Sequence, residues 1–196
     1  VVVVDTTPPV VACANVTVSL TGLSIAITPA QVYASGSDTC GTPILVAVTP
    51  DNFSCPGAYT ATLYVSDGNG NTNTCTSTVT VLDGRPTPTV VYVDDGYLGL
   101  TNCANVDFPY TGAGPHIIGY NAFATIPGGI AAVASGGTVN VGPGTYDELV
   151  TINKNLSLLS SGGKAVTTLQ NTAGTGIATV LVTGPTTGVQ IGDVNQ

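Results

Sequence analysis

The chain has 196 residues, of which 43% are hydrophobic and only 7% charged, with 11 Asp and Glu against 3 Lys and Arg and a net charge of −8. That balance argues against nucleic acid and anionic membrane surfaces as partners, because both are bound through Lys and Arg. No apolar run approaches the roughly 20 residues of a membrane-spanning helix, so membrane insertion is not expected. An average domain carries about 25% charged residues; here Thr, Ser, Asn and Gly solvate the surface instead, which suits a secreted β-protein. With no Met, the chain reads as a processed or trimmed product.

The N-terminal half alternates with period two. Val1–Asp5 is a β-branched run that reads as a strand without an obvious partner, and Thr6 to Pro9 breaks it. Val16, Val18 and Leu20 share one face of the next strand, with Thr17 and Ser19 on the other. Further strands are expected at Leu23 to Ile27 and Ile44–Thr49. In Ala58 to Ser66, residues Tyr59, Ala61, Leu63 and Val65 point one way. Asp67-Gly68-Asn69-Gly70-Asn71 is a hairpin turn. Its return strand, Thr72 to Leu82, points Cys75, Ser77, Val79 and Val81 inward and Thr74, Thr76, Thr78 and Thr80 outward. Short strands spaced by Gly and Pro turns predict a β-sandwich. Five cysteines lie at 13, 40, 55, 75 and 103. None has C-x-x-C spacing, and the single His116 has no Cys near it, so disulfides in an oxidising compartment are expected rather than zinc. The odd count leaves one thiol over.

Three separated motifs in this half, D-T-T-P-P-V-V-A-C, S-D-T-C-G and V-S-D-G-N-G-N-T-N-T-C-T-S-T-V-T-V, resemble the hyalin repeat over residues 5 to 82. That is an immunoglobulin-like extracellular module, so the resemblance implies adhesion or spacing, not catalysis. It also implies that Cys13 and Cys75 join the first and last strands. Cys40 and Cys55 would then tie a middle loop, leaving Cys103 as a free thiol or a bond between subunits.

Gly84 to Pro88 is a stiff linker, Thr89 to Val93 a strand, and Asp94 to Gly119 a loop-rich segment. Phe123, Ile126, Ile130 and Val133 or Ala134 then recur at helical spacing. Pro127 is tolerated only in a first turn, so the helix is predicted to be short and to start near Ile126. Gly136-Gly137 stops it. Val139 and Val141, a Gly142 to Gly144 corner, Val150 and Ile152, then Leu156 and Leu158 return to period two. Strands follow at Thr167 to Gln170, Ala178 to Thr183 and Val189 to Ile191, allowing two to three coils. The run G-G-T-V-N-V-G-P-G-T-Y-D-E-L-V-T-I-N-K-N-L-S-L-L-S resembles the opening of right-handed parallel β-helices of the pectin-lyase-like group, over about residues 117 to 160. Gly136, Gly137, Gly144, Tyr146, Glu148, Ile152 and Lys154 fall on the group's pattern, which implies a capping helix and a first coil. Pro127-Gly128-Gly129 departs from the helix formers usual there.

Chemistry is thinly signalled. Asp94-Asp95 is a weak calcium candidate, since calcium takes six or more oxygens. Asp67-x-Asn69-x-Asn71 matches the start of a calcium loop but lacks its closing glutamate, at Thr78, and reads first as a turn. Calcium thus stands as a minor expectation, and no other cofactor is implied. Glu148 and Lys154 belong to the first coil's pattern, and paired carboxylates on successive coils, as hydrolases of this shape need, are missing. No enzyme is expected. Sequons at Asn15, Asn52 and Asn155 are candidate glycosylation sites, and eight Tyr residues would suit sugar rings if they cluster.

The resulting expectation is all-β: residues 1–84 an immunoglobulin-like sandwich, 85–119 a linker and loop-rich connection, and 120–196 a short right-handed parallel β-helix with an N-terminal capping helix. The function expected is a structural subunit of an extracellular homopolymer, a surface filament or sheath, joined by β-strand addition. Val1, Val2, Val3 and Val4 are the candidate assembly strand, and copies of the chain the main partner. The alternative is a carbohydrate-binding or adhesive module of a larger cell-surface protein, with surface glycans as partners.

Overall fold

The computed structural model describes residues 4–108, 116–174, 179–184 and 186–193. The chain divides into two compact units, Val1–Pro86 and Thr87–Gln196, both built mostly of strands.

The first unit contains β1 (Val10–Cys13), β2 (Val16–Leu20), β3 (Ile25–Ala26), α1 (Pro29–Val32), β4 (Tyr33–Ser37), β5 (Ile44–Thr49), β6 (Asn52–Phe53), β7 (Gly57–Ser66) and β8 (Thr72–Asp83). Its main sheet runs β2-β8-β7-β5, with β2 parallel to β8 and the rest antiparallel. Pairs β1-β4 and β3-β6 are separate. The predicted alternation holds: Ala61, Leu63, Val65 and Val79 are fully buried, while Thr74, Thr76 and Thr78 face water. Leu20, Val32, Val48 and Phe53 complete this core. The hairpin turn closes where expected, with Ser66 opposite Thr72. Of the expected N-terminal strand, Val1, Val2 and Val3 lie outside the described residues, and Val4 and Asp5 are not in a strand. The sequence reading missed β1, α1 and β4. In α1, Gln31 Oε1 accepts from the Thr28 N–H at 2.7 Å, a local cap that stabilises one turn without any apolar period to announce it.

Cys13 of β1 and Cys75 of β8 are bonded, with Cα atoms 5.7 Å apart. The other cysteines correct the expectation. Cys40 is free and exposed, so the Cys40–Cys55 pair does not form. Cys55 and Cys103 are both disulfide-bonded, so Cys103 is not a spare thiol and has no sulfur to offer a second subunit.

The second unit contains β9 (Val90–Val93), a 3-10 turn (Asp95–Tyr97), β10 (Asn105–Val106), β11 (His116–Ile117), β12 (Ala122–Phe123), α2 (Ile126–Ala132), β13 (Gly137–Val141), β14 (Gly144–Asp147), β15 (Val150–Ile152), β16 (Leu156–Ser160), β17 (Thr167–Gln170), β18 (Val180–Val182) and β19 (Val189–Asp193). The segment 85–119, expected to be a connection, thus supplies β9 to the five-stranded sheet β12-β9-β13-β16-β19, which is parallel throughout. Strands β14-β17 and β15-β18 also pair in parallel. Each pass of the chain therefore lays its strands beside those of the pass before. Of the strand expected over 178–183, residue 178 lies outside the described residues.

Helix α2 is short and begins at Ile126, as Pro127 requires. Thr125 Oγ1 accepts from the Gly128 N–H at 3.2 Å, an N-cap. Its glycines have a packing reason: a Cβ on Gly129 would stand 2.7 Å from Val93 Cγ2. The helix lies that close to β9, burying Ile126, Ile130 and Val133 against Val91, Val93, Val139, Val150 and Ile152.

Candidate functional site

Parallel register stacks like positions into columns, and burial along a column reports where the stack is covered. Val91, Val139, Leu158 and Ile191 pair in sequence across β9, β13, β16 and β19. Their exposures are 0%, 0%, 4% and 53%. Ile152 is fully buried, whereas its partner Val182 is 47% exposed. The early passes are covered and the last is not. Helix α2 seals the first side. Among the described residues, no strand pairs with the outer edges of β17, β18 and β19. Leu158, Leu169, Val180 and Ile191 line a cavity of about 500 Å³ on that side, and Val166 and Leu181 are exposed nearby.

Glu148 and Lys154 are occupied by the helix. Glu148 Oε1 accepts from the Ile126 N–H at 2.9 Å at the helix N-terminus. Lys154 Nζ donates to the carbonyls of Val133 and Ala131 at its C-terminus. An anion and a cation at these ends match the helix dipole. Burial pushes the Glu148 carboxyl up and the Lys154 ammonium down. Lys154→Met should cost about 2 kcal/mol through two unanswered carbonyls; a melting temperature equal to wild type would refute that role.

Asp94 and Asp95 shape a corner. Asp94 Oδ1 accepts from the Gly96 N–H at 2.9 Å, and Asp95 Oδ2 from the Thr145 N–H at 3.4 Å. His116 is 4% exposed and stacks on Tyr92, with ring centroids 3.8 Å apart. Its Nε2 is buried without a partner. Burial holds the imidazole below its ordinary 6.5, with Asp107 partly opposing. The folded state therefore takes up the proton less readily than the unfolded state. The stability involved is fully present above about 6.5 and is lost as pH falls toward the depressed value, at most about 1.4 kcal/mol per pH unit. Asp94 and Glu148, raised by burial, act oppositely at lower pH: their contribution is present below their ordinary values and lost as pH rises through the raised ones. His116→Phe should flatten the slope below pH 6.5 in thermal melts; an unchanged slope would clear His116 of this role.

In the first unit the structure gathers what the sequence kept apart. One ligand atom from each of Asp5, Asp38 and Asp67 lies within 4.8 Å of the others. Asp67 is buried at the hairpin turn. Its Oδ1 accepts from the N–H groups of Asn69 at 2.7 Å and Asn71 at 3.1 Å, and its Oδ2 from Asn71 Nδ2 at 2.6 Å. Burial works to raise its pKa, but these bonds prevail and hold the carboxyl below its usual range. Asp38 Oδ2 accepts from the Cys40 N–H at 3.1 Å, while its Oδ1 is enclosed without a donor. Asn71 Nδ2 also donates to the Asp5 carbonyl at 3.1 Å. The turn reading of Asp67 accounts for its own hydrogen bonds but not for the other two carboxylates, which nothing in the sequence placed beside it.

Of the sequon asparagines, Asn15 and Asn52 are exposed. Asn155 is half-buried, and its Oδ1 accepts from the N–H groups of Thr187 and Gly188. No family model, no curated protein and no solved structure matches the chain.

Proposed function

We propose that the protein is a structural subunit of an extracellular assembly, in which copies join head to tail by adding a β-strand to the uncovered last pass of the second unit. The first unit is read here as a hyalin-repeat-like immunoglobulin sandwich. The second is read as a short right-handed parallel β-helix plugged by α2. The observation that carries the proposal is the asymmetry of the stack: one side sealed by a helix, the other exposing Ile191, Val182 and strand edges. Open edges of this kind pair with further strands unless charge or a cover prevents it, and this chain has few charges. Disulfides and the lack of any long apolar helix among the described residues are compatible with an extracellular setting. Val1–Val4, of which Val4 is 70% exposed, is the proposed donor, with side chains suited to pairing. A contact between two different surfaces does not close on itself and gives a filament.

Sedimentation velocity and electron microscopy of the purified chain test this. Polymers that grow with concentration are expected, and deletion of Val1–Val4, which leaves Asp5 in place, should abolish them. A full-length monomer at high concentration overturns the assembly reading. Normal polymers from the truncated chain overturn the donor-strand part alone.

A further inference from the structure

We infer that His116 and Asn121 form an acid-released latch, in which protonation of the His116 ring loosens the β10-β11 pair from β9. It stands apart from the assembly reading, which concerns the last pass of the stack.

The latch rests on the orientation of one amide. Asn121 Oδ1 accepts from the Ile117 N–H at 2.8 Å. That bond turns the Asn121 NH2 toward the imidazole, where Nδ2 stands 3.5 Å from His116 Nδ1. An amide NH2 only donates, so Nδ1 must accept and the ring proton sits on Nε2. Nε2 is buried and has no hydrogen-bond partner. A second proton is therefore opposed twice. On Nδ1 it would face another donor, and the resulting cation would lie in a ring that is 4% exposed and stacked on Tyr92, where charge is costly. The same asparagine ties three elements together. Its backbone carbonyl accepts from the Tyr92 N–H of β9 at 2.8 Å, and its N–H donates to the Ile117 carbonyl of β11 at 3.1 Å. Strands β10 and β11 pair with each other, Asn105 with Ile117 and Val106 with His116. Among the described residues neither pairs with another named strand. Turning Asn121 away from a protonated ring removes the side-chain bond to Ile117 and loosens the backbone bond to β9.

The elements packed on the ring bring no charge against it. Tyr92 comes from β9, Val106 from β10 and Asn121 from the turn before β12. Asp107, next to β10, is the charged group that acts on the ring, and it partly favours the cation. Asp94, at the end of β9, acts instead on Tyr97, whose hydroxyl is pushed up to about 12 and stays neutral throughout. Burial prevails over Asp107 and holds the closed imidazole below its ordinary value. The closed latch is therefore fully stable above the ordinary value and weakens as pH falls through it. Loosening would uncover Phe108 and Ile117, both almost fully buried when the latch is shut. Cys103 remains disulfide-bonded, so the opening is local.

The test is hydrogen–deuterium exchange of the full chain, resolved to single amides and corrected for the intrinsic pH dependence of exchange, at about pH 7.5 and about pH 5.5. The Ile117, Asn121 and Tyr92 amides should exchange several-fold faster at the lower pH. The ceiling is about tenfold, which a ring titrating near 6.5 when open allows over that interval. The Ser161 amide, bonded to the Val141 carbonyl at 2.9 Å in the covered part of the stack, should keep its rate. His116→Phe, which keeps a ring on Tyr92 but cannot titrate, should make the three amides insensitive to pH. Asn121→Asp should reverse the sign. One carboxylate oxygen keeps the Ile117 bond and the other accepts from the protonated ring, so acid slows exchange at Ile117. A rise at Ile117 of less than about twofold in the wild type overturns the latch. An equal rise at Ser161 does so too, since it reports unfolding of the whole unit. So does an Asn121→Asp chain that opens in acid as the wild type does.

Discussion

Replacing Cys13 and Cys75 together with alanine will destabilise the first unit by about 4 kcal/mol and lower its melting temperature by roughly 15–30 °C. The bond closes a loop with a sequence separation of 62. Chain-entropy estimates grow with the logarithm of loop length, which places a loop of this size near the upper part of the usual range. The bond also joins β1, paired only with β4, to β8 in the middle of the main sheet. Without it, β1 keeps its ladder with β4 and the packing of Val11 against the core but loses its covalent tie to the main sheet. Cys40→Ala is the internal control. That thiol is free and exposed, so its loss should stay within about 0.5 kcal/mol. Urea unfolding of the three proteins decides the matter. A double variant within about 1 kcal/mol of wild type would remove the loop-closure account.

Gly137→Ala is the second large effect, at about 3 kcal/mol. An added Cβ would stand 2.5 Å from the Thr89 carbonyl oxygen, 2.7 Å from Val133 Cγ2 and 3.0 Å from the Ala134 carbonyl oxygen. Two of these atoms are backbone and cannot rotate away. The Thr89 carbonyl also accepts from the Thr138 N–H at 2.8 Å, so moving it disturbs the β9-β13 ladder itself. Gly136 sets the scale. Its φ of +81° favours glycine, but nothing lies within 4 Å of its Cβ position. Gly136→Ala should therefore cost only the left-handed backbone penalty, about 1–2 kcal/mol. Calorimetry on both variants tests the order; a larger loss at Gly136 than at Gly137 would contradict it.

Local patterns in the sequence determined much of this molecule. Period-two runs placed β2, β5, β7, β8, β13 and β16, because alternation is a property of each strand's own residues once one face is buried. Pro127 set the start of α2, because proline fits only a first turn. The Gly-Asn turn set the β7-β8 hairpin, because positive φ there is a local demand. Short elements escaped. β1, β10, β11 and β12 carry too few residues to show a period, and β4, Tyr-Ala-Ser-Gly-Ser, is long enough but has no apolar alternation; pairing decides them rather than propensity. The cysteine arrangement shows the same boundary. One bond was legible from the motifs at the two ends of the first unit, but the spare thiol was assigned to Cys103 when it is Cys40, since which sulfurs meet depends on how loops are placed. The candidate sites lie wholly on the tertiary side. Asp5, Asp38 and Asp67 each sit in a motif visible in the sequence: Asp5 reads as extended chain, Asp67 first as a turn and only then as the start of a calcium loop, and Asp38 only as part of the S-D-T-C-G motif. Only folding of the sheet brings them within 4.8 Å. The uncovered side of the second unit is tertiary for the same reason. Val139 and Ile191 are both apolar strand residues at matching positions, and what buries one and leaves the other 53% exposed is the presence or absence of a neighbouring pass.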